Sequence, residues 1–273
     1  MLDATRPLLL VGGGKMGEAL LAGWLGQGLS PDAVVVVEPD QDRRRQLAAA
    51  HGVGTAADVA AVPGSPAPGA VLLAVKPQLM DGVLPGVRPL VATDTLVLSI
   101  AAGKPIAVFE QALGENLAVV RAMPNTPAAV GRGVTVLCAN PHAGAEQRAL
   151  AERLMAAVGQ VHWIDDEDLM HAVTAVSGSG PAYVFYLIEA LAAAGVEAGL
   201  PAPLAMDLAR GTVIGAGELA RRSVDSAAQL RVNVTSPGGT TAAALAVLAG
   251  KAGIGPVLVE AVAAAARRSR ELA

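Results

Sequence analysis

Three groups of residues in this 273-residue chain have the types and spacing to hold small charged ligands. The first is Asn233-Val-Thr-Ser-Pro-Gly-Gly-Thr-Thr-Ala242. Pro237, Gly238 and Gly239 exclude regular structure, and the run from Ala242 to Ala249 that follows favours a helix. A glycine loop feeding a helix start, with Thr240 and Thr241 in or near the capping position, exposes backbone N–H groups beside the positive end of a helix dipole. That arrangement suits a small anion such as a carboxylate. The hydroxyls of Ser236, Thr240 and Thr241 add donors. The competing reading is an ordinary turn with a threonine cap.

The second group lies near the other end. Gly12, Gly14 and Gly17 fit G-x-G-x-x-G, with Gly13, Lys15 and Met16 filling the intervals. An apolar strand, Leu8–Val11, precedes them, and a helical stretch from Glu18 to Leu25 follows. In that context the glycines permit a tight turn and close approach of a dinucleotide pyrophosphate to a helix N-terminus. The third feature is Glu38, which ends the strand Val34–Val37 at the distance from Gly17 expected of the acid that holds the adenosine ribose. A carboxylate there favours NADH, because it repels a 2′-phosphate. Arg43, Arg44 and Arg45 follow closely and could pair with that phosphate, or form only the solvated face of the helix from Asp42 to Ala50.

Elements must position these groups. Ala70–Val75, Thr95–Ile100 and Leu117–Val120 are near-continuous apolar strands, which implies a sheet covered on both faces and mainly parallel. Ligands of such sheets bind beyond the carboxyl ends of the strands. Ala74, Val75, Lys76 and Pro77, then Ala101, Ala102 and Gly103, then Asn125-Thr-Pro127 fall at those ends and form the expected rim of a cofactor cleft. Val134–Cys138 reads as a further strand and Ser65–Gly69 as a surface loop. From Asp166 the strand signals cease. A helix over Asp166–Val173, a break at Ser177-Gly-Ser-Gly-Pro181, and helices from Ala182, Pro203, Ser226, Ala242 and Ile254 are predicted. The expected organisation is a Rossmann-type domain over residues 1–165 and a helical domain over residues 166–273. The helices are apolar on more than one face, so association with a second subunit is expected.

Composition limits the function. Hydrophobic residues are 53% and charged residues 16%, which argues for a globular chain. A net charge of −4 gives no basic face for nucleic acid. The one cysteine, Cys138, excludes an internal disulfide framework and fits a reducing cytoplasm. His51, His142, His162 and His171 show no metal-ligand spacing, so no metal is expected. No apolar run reaches ~18 residues without a charge, Gly or Pro, so no membrane span is expected, and residues 1–7 are too short and acidic for a signal peptide.

With these residues in view, the chain resembles the pyrroline-5-carboxylate reductases. The likeness rests on Ala74–Pro77, Ser99–Gly103, Arg121–Pro127, Val176–Tyr183 and Val234–Thr241, in that order along nearly the whole length. It implies reduction of the cyclic imine 1-pyrroline-5-carboxylate to L-proline by NADPH or NADH, in a homodimer able to assemble further through the helical domain. It also implies that Ser236, Pro237, Gly238, Gly239 and Thr240 hold the substrate carboxylate and that Thr241 hydrogen-bonds the ring nitrogen. Glu167 would lie at the substrate and Asn233 at the cofactor. Two departures from the family are Lys15 and Glu38, where uncharged residues are common. A β-hydroxyacid dehydrogenase would ask for a lysine at the start of the helical domain, and residues 166–210 contain none. A cofactor-sensing oligomer without activity would have no use for the Gly238 loop.

Overall fold

The computed structural model describes residues 2–64 and 66–272. Ser65, which opens the expected surface loop, lies outside the described residues, as does Met1 of the leading segment. Eight strands form one sheet: β1 Leu8–Val11, β2 Val34–Val37, β3 Gly54–Ala56, β4 Ala70–Leu73, β5 Leu96–Ser99, β6 Ala118–Met123, β7 Gly133–Ala139 and β8 Gly159–Trp163. Their order is β3-β2-β1-β4-β5-β6-β7-β8, and every pair is parallel except β6 with β7. The link of residues 124–132 is too short for a parallel crossover, so the chain turns back there. β3 and β8 escape sequence reading because their residues are mostly half-exposed and carry no apolar run.

Alternation along the strands divides the core in two. Leu8 and Leu10 point to one face, where Leu20, Leu21, Trp24 and Leu47 of helices α1 (Lys15–Gly26) and α2 (Gln41–His51) cover them. Leu9 and Val11 point to the other, under Met80 and Leu84 of α3 (Met80–Val87) and Phe109 of α4 (Ile106–Leu113). α5 (Ala145–Ala156) joins the first face, where the Trp24 indole donates to the Leu154 carbonyl at 2.7 Å. Cys138 is buried in β7, as its apolar neighbours predict. Burial pushes its thiol pKa up, with the Glu167 carboxylate adding to the effect.

The helical region is α6 (Met170–Val173), α7 (Gly180–Glu197), α8 (Ala202–Arg222), α9 (Ala227–Asn233), α10 (Thr240–Leu248) and α11 (Ile254–Glu271). At its start the Ser177–Pro181 break is narrower than expected: a π-helical turn over Thr174–Gly178 follows α6, a single bend at Ser179 separates it from α7, and Pro181 lies in the first turn of α7, where its missing N–H costs nothing. The resulting stretch Glu167–Glu197 is, by length and composition, apolar enough to cross a membrane. Sequence reading excluded such a span by treating Gly and Pro as breaks. Two compact units result, Met1–Gly178 with Ala266–Ala273, and Ser179–Ala265. The first takes in the end of α11, whose Ser269 hydroxyl lies 3.0 Å from Nδ1 of His171. In the second, α7 and α8 pack at Gly195, where an added Cβ would stand 3.2 Å from that of Ala205. Its only buried residues are Ala192, Ala205 and Ala209.

Candidate active site

The sheet order reverses between β1 and β4, and a crevice opens there beyond the carboxyl ends of the strands, as a topological switch point requires. Its volume is about 530 Å³. Of the sequence candidates it gathers Gly12, Gly14, Glu38, Ala74, Val75 and Lys76 in its walls. Ala57, Asp58, Val59 and Ala60, which follow β3, and Leu79, Gly82, Val83 and Gly86 of the β4–α3 region complete it. Sequence reading missed this second set. The one local signal is Asp58, whose side chain accepts from the Ala61 N–H at 2.8 Å as a turn cap.

Two glycines of the turn act differently. Gly12 has φ +110°, and a Cβ there would stand 2.7 Å from the Ala74 carbonyl oxygen, so only glycine lets β1 pass β4 so closely. Gly14 is the N-cap of α1 with no side-chain cap, and a Cβ there would meet nothing within 4 Å. The first backbone bond of α1 runs from the Glu18 N–H to the Gly14 carbonyl. The N–H groups of Lys15, Met16 and Gly17 are therefore left for a ligand. An uncapped helix start beside open space fits a pyrophosphate.

The Gly13 peptide is clamped from both sides. Its N–H donates to the Glu38 carboxylate at 3.0 Å, and its carbonyl accepts from Nε of Arg43 at 2.8 Å. Arg43 also donates to Glu18 at 2.6 Å, a bond that holds the Glu18 carboxyl below its ordinary pKa. Nε2 of His51 stands 3.5 Å from the other Glu18 oxygen without forming a hydrogen bond. Glu38 further accepts from the Asp40 N–H at 3.0 Å. Arg44 donates to the carbonyls of Glu38 and Pro39, each at 2.7 Å, and Arg45 pairs with Asp42 at 3.2 Å. Arg43 and Arg44 are thus neither a plain solvated face nor an open phosphate site, whereas Arg45 lies on the solvated face of α2.

Ala101, Ala102 and Gly103 follow β5, and Asn125 follows β6, beyond the walls of the crevice. The Asn125 side chain accepts from the Val134 N–H at 2.9 Å and donates to the carbonyl and hydroxyl of Ser177 at 3.3 and 3.2 Å. It therefore ties the start of β7 to the π turn. Glu167 sits nearby in sequence: its Oε1 accepts from the Ile106 N–H at 2.9 Å and from Arg121 at 2.8 Å. The Arg121 side chain is 4% exposed and that of Glu167 is 29% exposed. This buried cation in the middle of apolar β6 went unread in sequence, because its neighbours Val120 and Ala122 are ordinary strand residues.

The remaining candidates belong to the second unit. Gly238 has φ +69°, and Gly239 rather than a threonine is the N-cap of α10. Thr240 and Thr241 occupy its first turn, next to the capping position, and the cap carries no side-chain bond. The first backbone bond runs from Ala243 to Gly239, leaving the N–H groups of Thr240, Thr241 and Ala242 over. Asn233 is engaged with Gln229 at 2.7 Å and Asp225 at 3.3 Å.

Comparison with known proteins gives consistent findings. A family model described as pyrroline-5-carboxylate reductase dimerisation matches residues 167–272. One described as NADP oxidoreductase, coenzyme F420-dependent, matches residues 8–103. A pyrroline-5-carboxylate reductase of Synechocystis is 44% identical over 270 residues, covering 96% of this chain and 97% of its own. One of Pseudomonas aeruginosa is 38% identical, covering 99% and 98%. Among solved structures, a pyrroline-5-carboxylate reductase from Coxiella burnetii matches with a TM-score of 0.91 at 36% identity, covering 98% and 99%. A Plasmodium falciparum pyrroline carboxylate reductase solved with NADP bound matches at 0.82 and 29%, covering 98% of each chain.

Proposed function

The chain belongs to the pyrroline-5-carboxylate reductase family, and from that premise we propose how its own residues divide the work. It reduces 1-pyrroline-5-carboxylate to L-proline with NAD(P)H. The observation that carries the reading is the pair of uncapped helix starts. One heads α1 at Gly14 and suits a pyrophosphate; the other heads α10 at Gly239 and suits a carboxylate.

The cofactor, when bound, supplies the hydride. Gly14, Lys15, Met16 and Gly17 would hold its pyrophosphate through backbone N–H groups, Gly12 and Gly13 would shape the turn with their own N–H groups bonded to Val37 and Glu38, and Glu38 would take the adenosine ribose. Ala74–Pro77 and Ala101–Gly103, with Asn125 and Asn233, shape the reach toward the nicotinamide. Ser236 to Thr240 orient the substrate carboxylate, which fixes the imine carbon for attack. The Thr241 hydroxyl donates to the ring nitrogen and polarises the imine as charge moves onto it. A threonine hydroxyl is too weak an acid to be the net proton source, so the proton comes from water or enters on an iminium. Glu167, fixed by Arg121 and the Ile106 N–H, offers its second oxygen toward the substrate.

The functional boundary is placed at residue 166, one residue before the matched dimerisation segment. A cytoplasmic location is part of the reading, supported by the lone reduced cysteine, with the apolar stretch Glu167–Glu197 covered by the partner subunit rather than by lipid. The test is a steady-state assay with pyrroline-5-carboxylate and each reduced cofactor, with the product identified as L-proline. Absence of turnover with both cofactors in a folded dimer overturns it.

A further inference from the structure

The walls of the crevice beyond β2 and β3 carry two carboxylates, Glu38 and Asp58. The cation among the lining residues is Lys76, which follows β4. Each neighbouring arginine already has partners. Arg43 bridges the Gly13 carbonyl and Glu18, Arg44 bridges the Glu38 and Pro39 carbonyls, and Arg45 pairs with Asp42. Glu38 is itself held in place by the N–H groups of Gly13 and Asp40, and Asp58 by that of Ala61. Neither carboxylate can swing away without giving up those bonds.

A ribose and a 2′-phosphorylated ribose make opposite demands on such a wall. Hydroxyls donate to carboxylates, whereas a phosphate of charge near −2 is repelled by them and calls for a free, forked guanidinium. We propose that this chain selects NADH over NADPH through Glu38 and Asp58, Arg43 and Arg44 being held in backbone and side-chain bonds that keep them from serving as a phosphate clamp. The inference rests on the dinucleotide-dependent reading of the crevice.

Direct binding tests it. NADH and NADPH are titrated separately into the substrate-free dimer, and nicotinamide fluorescence gives each Kd. NADH is expected to bind at least about tenfold tighter, a difference near 1.4 kcal/mol. Glu38→Gln with Asp58→Asn keeps an acceptor oxygen at each position and removes both charges, and the ratio is expected to narrow by about tenfold or more. Should the double variant not fold, Asp58→Asn alone is read against the parent in the same way. Arg44→Met is expected to leave the ratio unchanged. Tighter binding of NADPH by the parent, an unchanged ratio after neutralisation, or selective loss of NADPH binding in Arg44→Met each overturns the proposal. The last of these makes Arg44 the phosphate reader. Turnover of the imine is followed separately. Turnover with either cofactor leaves the reductase reading intact whichever way the ratio falls. No turnover with either removes that reading while the binding ratio still decides the inference.

Discussion

At the scale of single residues, chemistry and architecture separate cleanly in the Gly12–Gly17 turn. Gly12→Ala forces a side chain into a positive-φ position against the Ala74 carbonyl, and is expected to cost about 1–3 kcal/mol of stability. For a unit of this size that is a fall in Tm of roughly 2–4 °C per kcal/mol, read by calorimetry. Gly14→Ala meets no protein atom, so Tm should hold while cofactor Kd rises by about tenfold, a loss near 1.4 kcal/mol, as the methyl intrudes on the space beside the uncapped helix start. Equal Tm losses in both variants would remove the distinction. Thr241 is argued the same way. Its hydroxyl makes no protein hydrogen bond among the described residues, so Thr241→Ala should leave the fold intact. A lost transition-state donor predicts a fall in kcat/KM of roughly ten- to a thousandfold. Unchanged kinetics in the folded variant would refute the role.

At the scale of elements, the Arg121–Glu167 pair links β6, the start of α4 and the segment that leads into α6. A guanidinium buried inside a sheet is tolerable only with its partner, because an unpaired buried charge is far more costly than a neutral side chain. Glu167→Ala is therefore expected to destabilise by about 3 kcal/mol, toward the lower end for a buried pair since Glu167 is partly exposed. Arg121→Met combined with Glu167→Leu should recover much of that loss. Denaturant midpoints of the two proteins decide it: a double variant as unstable as Glu167→Ala means that shape, not charge, is what the site demands. The Asn125–Ser177 bonds likewise tie the π turn to the segment that follows β6.

At the scale of the whole molecule, the second unit has no core of its own. Phe185, Tyr186, Ile214, Val247 and Val259 are 59–75% exposed, and the buried set is three alanines. The matched dimerisation segment supplies the physical answer, since a second copy can cover those faces. Placing charges at Phe185 and Ile214, as Phe185→Glu and Ile214→Glu, should shift sedimentation from dimer to monomer or aggregate and abolish activity. A dimer that survives both changes would put its interface elsewhere. Under the proposed roles, the Gly12 turn and the Gly238 loop serve one substrate. If each site draws them from different chains, co-folding a cofactor-binding-deficient Gly12-turn variant with Thr241→Ala regains activity neither parent shows. Verified heterodimers as inactive as both parents exclude sharing.

Patterns that repeat locally were legible in the amino-acid order alone. Runs such as Leu8–Val11 and Ala70–Leu73 must be strands buried on both faces, because four successive apolar residues leave no side to face water. Glycines followed by a helix-forming run mark both helix starts, because backbone geometry there depends on a few neighbouring residues. The family likeness was legible too, being carried by short motifs. What depends on distant partners was not. The antiparallel return of β7 and the two half-exposed strands follow from packing and link length. Arg121 gains a role only once β6 lies between β5 and β7 and Glu167 reaches it. Whether Arg43 and Arg44 meet a phosphate or only solvent stays open in sequence until the Gly13 and Glu38 carbonyls take their N–H groups. Asp58 joins Glu38 only because β3 lies beside β2, a neighbour relation that hydrogen bonding between strands creates and no local pattern encodes.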